Sequence, residues 1–255
     1  MTAKKGIKYT VLLIFYRFVI YVMLESGFKK VAEVIFMSEV LNNAMKVFQK
    51  NSKSSLKELD IEFDSLEKKA RCCYFIGKVL LETRDNNSEI APLFEEIFVD
   101  LFQSISSCLN GQYRLAYQSL RSSLELTVAA VYFYDHLIEF AQWKNDKWDF
   151  QFSLIKEILS ESYAHALGVH SPPSESKIRN QYRYLSQFVH GKYGFMTTLN
   201  EGAILQFNKD RSLEFIRSFE DVFTCIMNLV SYRFSDLFPD ISKMYPFFRN
   251  AYREE

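Results

Sequence analysis

Residues 112–140 read QYRLAYQSLRSSLELTVAAVYFYDHLIEF. Leu115, Leu120, Leu124, Leu126, Val128, Val131 and Phe133 recur at helical spacing, and towards its end the segment is apolar on most sides. A helix with no polar face belongs in the middle of a bundle, because every side needs a neighbour. The stretch predicts an all-α fold with the helix over 112–140 at its centre.

The flanking chain continues the pattern. Upstream, apolar positions at helical spacing predict helices over 28–50, 56–82 and 89–109, the last with Pro92 in its first turn, where a missing N–H costs little. The polar run Asn51–Ser55 and the loop Arg84–Ser88 separate them, and Asn110-Gly111 is a turn. Downstream, Gln142–Asp149 holds both tryptophans and is expected to be a loop. A helix is predicted over 150–167, stopping at Gly168, and His170-Ser-Pro-Pro-Ser174 is the strongest break in the chain. Helices over 175–190 and 212–234 follow, with a turn or short hairpin expected in 191–209. The architecture expected is an up-and-down bundle of about six to seven helices over residues 37–255, preceded by a hydrophobic helix or extension at 1–36.

That extension holds Val11–Leu24 (VLLIFYRFVIYVML) after Lys4, Lys5 and Lys8. The apolar run from Tyr9 to Leu24 is short of the ~20 residues that a spanning helix needs. Arg17 in its middle costs roughly 2.5–3.5 kcal/mol at a bilayer centre. A buried or dimer-forming helix is the favoured reading, and a membrane-associated helix over residues 9–24 is the alternative.

Across its 255 residues the chain carries 31 Lys and Arg against 31 Asp and Glu. This balance argues against nonspecific coating of nucleic acid, which needs clustered positive charge, and leaves room for a local basic site. Cys72, Cys73, Cys108 and Cys225 show no metal-ligand spacing, so reduced, buried thiols of a cytoplasmic protein are expected and no zinc site. No phosphate-binding loop, dinucleotide fingerprint, zincin motif or nucleophile elbow occurs.

The most function-like segment is 177–192, KIRNQYRYLSQFVHGK. From Lys177 to Asn200 there are four basic residues and no acidic one. Seven positions bring His190 to within roughly 20° of Arg183 on a helix, with Cα atoms roughly 10–11 Å apart, and Arg179 and Ser186 fall near the same line. Gly191 suits the position just past the helix end. Metal-independent RNA cleavage needs a base for the 2′-OH proton, an acid for the leaving 5′-oxygen, and a cation for the charge on the phosphorane. His and Arg supply these. One His does not easily do both proton transfers, so a symmetric homodimer with two such helices facing each other is expected. Arg183 and His190 are the candidate catalytic residues. Arg179, Asn180, Ser186, Gln187 and Lys192 are the candidate substrate-binding residues around them. His136 and His165 read as structural, and His170 as a loop residue.

Arg183-(six residues)-His190 resembles the Arg-x4–6-His signature of the HEPN superfamily, small helical-bundle proteins of which many are metal-independent endoribonucleases in toxin–antitoxin, abortive-infection and other defence systems. Tyr113-Arg114-Leu-Ala-Tyr-Gln-Ser-Leu-Arg121-Ser-Ser-Leu-Glu125 is similar to the family's earlier central helix, and Tyr184-Leu-Ser-Gln-Phe-Val-His190-Gly191 to its final motif. The likeness covers roughly residues 95–235. It implies catalysis by Arg183 and His190 at a dimer interface, RNA as substrate, no metal or cofactor, and an antitoxin or defence partner protein. Arg121 and Glu125 would support the site by orienting Arg183, or would form only an intrahelical ion pair. Family members usually carry Asn, Asp or His directly after the motif arginine, where this chain has Tyr184, and the superfamily includes noncatalytic members. A noncatalytic helical interaction protein is therefore the alternative function.

Overall fold

The computed structural model describes residues 29–82, 88–196 and 205–244. The chain divides into two compact units, Met1–Lys50 and Asn51–Glu255, where the sequence reading set aside residues 1–36. In the first unit residues 29–50 are helical. The second is an all-α bundle with no strand among the described residues. In chain order the helices are α1 (Lys29–Glu82), α2 (Ala91–Leu109), α3 (Tyr113–Asp135), α4 (Leu137–Trp143), α5 (Ile155–Ile158), α6 (Glu161–Ala166), α7 (Glu175–Val189), α8 (Lys209–Phe234) and α9 (Phe238–Met244). The hydrophobic run at residues 9–24 lies outside the described residues. Among those described, no helix is long and apolar enough to cross a membrane.

Helix α3 occupies the centre that its sequence demands. It packs against α2, α7 and α8, and Leu120, Leu124, Val128, Ala130, Val131 and Phe133 are fully buried. Each such aliphatic or aromatic side chain contributes roughly 1.5–3 kcal/mol when withdrawn from water. Two of its buried hydroxyls are satisfied within the helix. Ser123 Oγ donates to the Leu120 carbonyl at 2.8 Å and Thr127 Oγ1 to that of Ser123 at 2.8 Å, so neither leaves an orphan polar atom in the core.

The turn between α2 and α3 needs Gly111, whose φ is +76° and whose Cβ, if present, would stand 2.9 Å from the Gln206 carbonyl oxygen. Here the structure corrects the expected break at Asn51–Ser55, since these residues are helical. Their polar groups close the α2–α3 turn instead of interrupting a helix. Asn51 Nδ2 donates to the carbonyls of Asn110 (2.9 Å) and Leu205 (3.1 Å), and Ser55 Oγ to that of Leu109 (3.0 Å). The non-helical backbone falls later, at Leu59 (φ −142°, ψ 34°).

Other boundaries also moved. The helix expected over 112–140 ends at Asp135, because His136 (φ −125°, ψ 66°) turns the chain into α4. The helix expected over 150–167 is divided: Ser160 leaves helical geometry, and its side chain caps α6 by accepting from the Tyr163 N–H at 3.2 Å. The expected loop around the tryptophans is partly helical, since Trp143 ends α4, and both indoles pack on Phe133 at 5.2 and 5.8 Å. In 191–209 the described residues hold a 3-10 turn, Tyr193–Phe195, and no hairpin strand. All four cysteines are buried and free. Burial pushes the thiols of Cys72 and Cys108 up to about 12 and that of Cys225 to about 11, so they stay protonated.

The far ends of α3 and α8 are tied by Asp135, which accepts from Arg233 Nε at 2.7 Å, from Arg233 Nη2 and from the Tyr163 hydroxyl. Burial alone would raise the Asp135 carboxyl, but the bonds from Arg233 and Tyr163 outweigh it and hold it below its ordinary value. A depressed folded-state pKa adds stability above the unfolded value near ~3.9, and this is lost as pH falls through the folded value. Asp135→Asn is accordingly expected to cost about 2 kcal/mol in urea unfolding at pH 7. The gap to wild type should close on acidification below about pH 4, and a gap that stays constant down to pH 2 would remove this assignment.

Candidate functional site

Helix α7 starts at the Ser174 cap, whose side chain accepts from the Lys177 N–H at 3.4 Å, and carries Ile178, Leu185 and Phe188 on its buried face. Arg183 and His190 lie almost opposite that face, and both are exposed. Neither the Arg183 guanidinium nor the His190 imidazole has a hydrogen-bond or ion-pair partner among the described residues. Asn180 and Lys192 are also exposed and Gln187 is half-buried.

Two neighbours are less free than their positions suggested. Arg179 Nε pairs with Glu175, one turn earlier, while its Nη2 is buried without a partner. The Ser186 hydroxyl donates to the Tyr182 carbonyl at 2.7 Å. The basic stretch thus has an acid at its N-terminal edge that the Lys177–Asn200 window did not include.

Arg121 and Glu125 form the intrahelical ion pair, at 3.2 Å. The group they hold is Tyr182, beside Arg183 in the chain. Arg121 donates to the Tyr182 hydroxyl and lies 4.7 Å from its ring centre; that hydroxyl also reaches Glu125 at 3.5 Å, and the ring stacks on Phe152 at 3.7 Å. The expected contact to Arg183 is replaced because Tyr182 sits on the flank of α7 that faces α3, whereas Arg183 points away from it. Tyr184 is likewise turned inward: its ring meets those of Tyr117, Phe188 and Phe195, and its hydroxyl donates to Glu214 at 3.1 Å. Burial, then the Glu214 carboxylate, raises the Tyr184 pKa, so the phenol remains neutral.

Arg114 was legible only as part of a helix motif, and the structure gives it a place at the site. From α3 its Nε donates to the Phe188 carbonyl at 2.9 Å and its Nη2 to that of Val189 at 3.2 Å. These are orphan carbonyls of the last turn of α7, where a cation also opposes the helix dipole. His190 follows as the C-terminal cap residue, its N–H donating to Ser186 at 3.0 Å. Gly191 then turns the chain at φ +60°, and its missing Cβ leaves room for the guanidinium, which lies 3.3 Å from that point. Arg114 so fixes the end of the helix that presents His190. Among the described residues no group of His, Cys, Asp and Glu could hold a metal ion.

Compared with models of known protein families, with curated proteins and with solved structures, the chain matches none.

Loss of the two Arg114 bonds defines a measurement. Arg114→Ala is expected to lower stability by about 1–2 kcal/mol and to speed hydrogen exchange of the His190 amide more than that of Leu185 in mid-helix. Equal acceleration at both amides would show that Arg114 has no local hold on the helix end.

Proposed function

We propose that this chain is a metal-independent endoribonuclease of HEPN type, serving a defence or toxin–antitoxin system and acting as a homodimer on RNA. The observation that carries the proposal is the shared outward face of Arg183 and His190: two side chains suited to phosphate chemistry, exposed, close to one helical line, with no protein group among the described residues competing for either. Both point away from the bundle, so a cleft around them calls for a second surface, which another copy of α7 supplies with its own pair. One imidazole takes the 2′-OH proton as that oxygen attacks phosphorus. The other protonates the departing 5′-oxygen as the P–O5′ bond breaks, leaving a 2′,3′-cyclic phosphate and a 5′-hydroxyl. The guanidinium forks stabilise the charge on the phosphorane. An antitoxin or defence partner would regulate the pair by covering this face.

The inward fold of Tyr184 favours a second reading. With its ring packed and its hydroxyl given to Glu214, the position after Arg183 offers no polar group to the outer face, which suits a noncatalytic protein that binds a partner or a ligand phosphate through α7.

RNA cleavage in the presence of EDTA separates the two. Wild type is expected to cut, and His190→Ala and Arg183→Ala to lose at least about 100-fold in rate with unchanged thermal midpoints. A folded Arg183→Ala/His190→Ala double variant that cuts like wild type would remove the nuclease proposal. Stable RNA or partner binding without any cutting would establish the second reading.

A further inference from the structure

Phe188 lies five positions beyond Arg183 and so about 140° round the helix. On that flank a cavity of about 160 Å³ opens between the C-terminal end of α7 and the N-terminal turns of α3 and α8. Tyr113, Tyr117 and Phe188, each nearly fully buried, and the half-buried Phe195 line it, and Arg211 and Glu214 give it one cation and one carboxylate. Its size is below the roughly 300–1,000 Å³ of pockets that enclose drug-sized ligands and suits a single ring system. Met196 completes the wall, and its methyl lies 3.8 Å from where a Cβ of Gly191 would stand. The cavity therefore adjoins the residue that follows His190.

We propose that this cavity is a base subsite that takes an unpaired guanine ring, carried by an RNA strand or by a free guanine nucleotide. The RNA source rests on the ribonuclease reading. The half-buried Phe195 is the lining ring left with accessible surface, and an aromatic ring accepts the face of any base, so the polar edge sets the choice. Glu214 is exposed and already accepts from the Tyr184 hydroxyl through Oε1, which orients the carboxylate and leaves lone pairs on both oxygens. Guanine alone presents two adjacent N–H donors on its Watson–Crick edge to match a carboxylate. Adenine would set a ring-nitrogen lone pair against it. Arg211, placed over the Tyr113 ring at 6.0 Å, can donate to the guanine carbonyl oxygen or to the attached phosphate.

Gly194 supplies a clean test. It lines the cavity, and a Cβ added there meets nothing within 4 Å, so the side chain of Gly194→Leu starts in open space at the cavity wall. Guanosine, adenosine and cytidine 5′-monophosphates are titrated calorimetrically into wild type, Gly194→Leu and Glu214→Gln, with thermal midpoints measured in parallel. Guanosine monophosphate should bind at least about tenfold tighter than the other two, and each substitution should weaken it by at least about tenfold with the Gly194→Leu midpoint unchanged. Equal binding of the three nucleotides, no binding, or full binding to Gly194→Leu would overturn the subsite. The source is decided by mapping cuts in an RNA with scattered unpaired guanines. Cuts that favour guanine in wild type and lose that preference in Gly194→Leu place an RNA base in the cavity. Guanosine monophosphate binding that Gly194→Leu abolishes, in a protein that cuts no RNA, keeps the subsite for the free nucleotide and removes the ribonuclease reading alone.

Discussion

From Ser123 to Phe133 helix α3 turns almost no side chain to water, and the bundle is organised by the need to cover it. Residues at successive helical angles in this stretch, such as Leu124, Val128, Val131 and Phe133, are all buried, so neighbours are required on every side. Helices α2, α7 and α8 meet that need. An all-round apolar helix in a single chain has few alternatives, because any exposed side would forfeit its burial energy. Ser123 and Thr127, which interrupt it inside the core, bond back to their own helix, and Glu125 pairs with Arg121 one turn earlier, so the core tolerates these polar groups.

This constraint also places the candidate chemistry. Once Ile178, Leu185 and Phe188 dock α7 on the core, the helical repeat fixes which residues face outward, and Arg183 and His190 are among them. Their exposure is thus a consequence of packing on the opposite face. The N-terminal end of α3 then contributes a second control through Arg114, whose bonds to the Phe188 and Val189 carbonyls finish α7. A fraying helix end would not hold an imidazole in one place, and the close approach of this guanidinium is allowed by the absence of a side chain at Gly191.

Aromatic residues play a third part. Tyr117 stacks on Phe188 at 3.8 Å, and Tyr184 and Phe195 meet the same ring edge-on. Such pairs contribute beyond their buried area. They hold α3, α7 and the turn after His190 as one unit, so the outward polar face and the aromatic cavity share a common frame. Burial keeps the Tyr113, Tyr117 and Tyr184 phenols neutral, so these rings add no negative charge next to the basic face.

The helical class, the central place of the helix that starts near residue 112, the limits of α7 and the common face of Arg183 and His190 followed from the sequence alone. Each depends on periodicity along a single helix, which local order records directly. Tertiary structure decided what depends on partners distant in the chain. Asn51–Ser55 looked like a break because polar residues usually mark one, but here their hydrogen-bonding groups are spent on the turn at Asn110. Arg121 and Glu125 stood at a spacing that fits several neighbours, and only the packing of α3 on α7 selected Tyr182 in place of Arg183. Nothing near Arg114 in the chain points to carbonyls some seventy-five positions away. A helix repeat specifies the angle at which a side chain leaves its own axis, whereas the group it meets is set by how two axes are brought together, and that is decided only when the core closes.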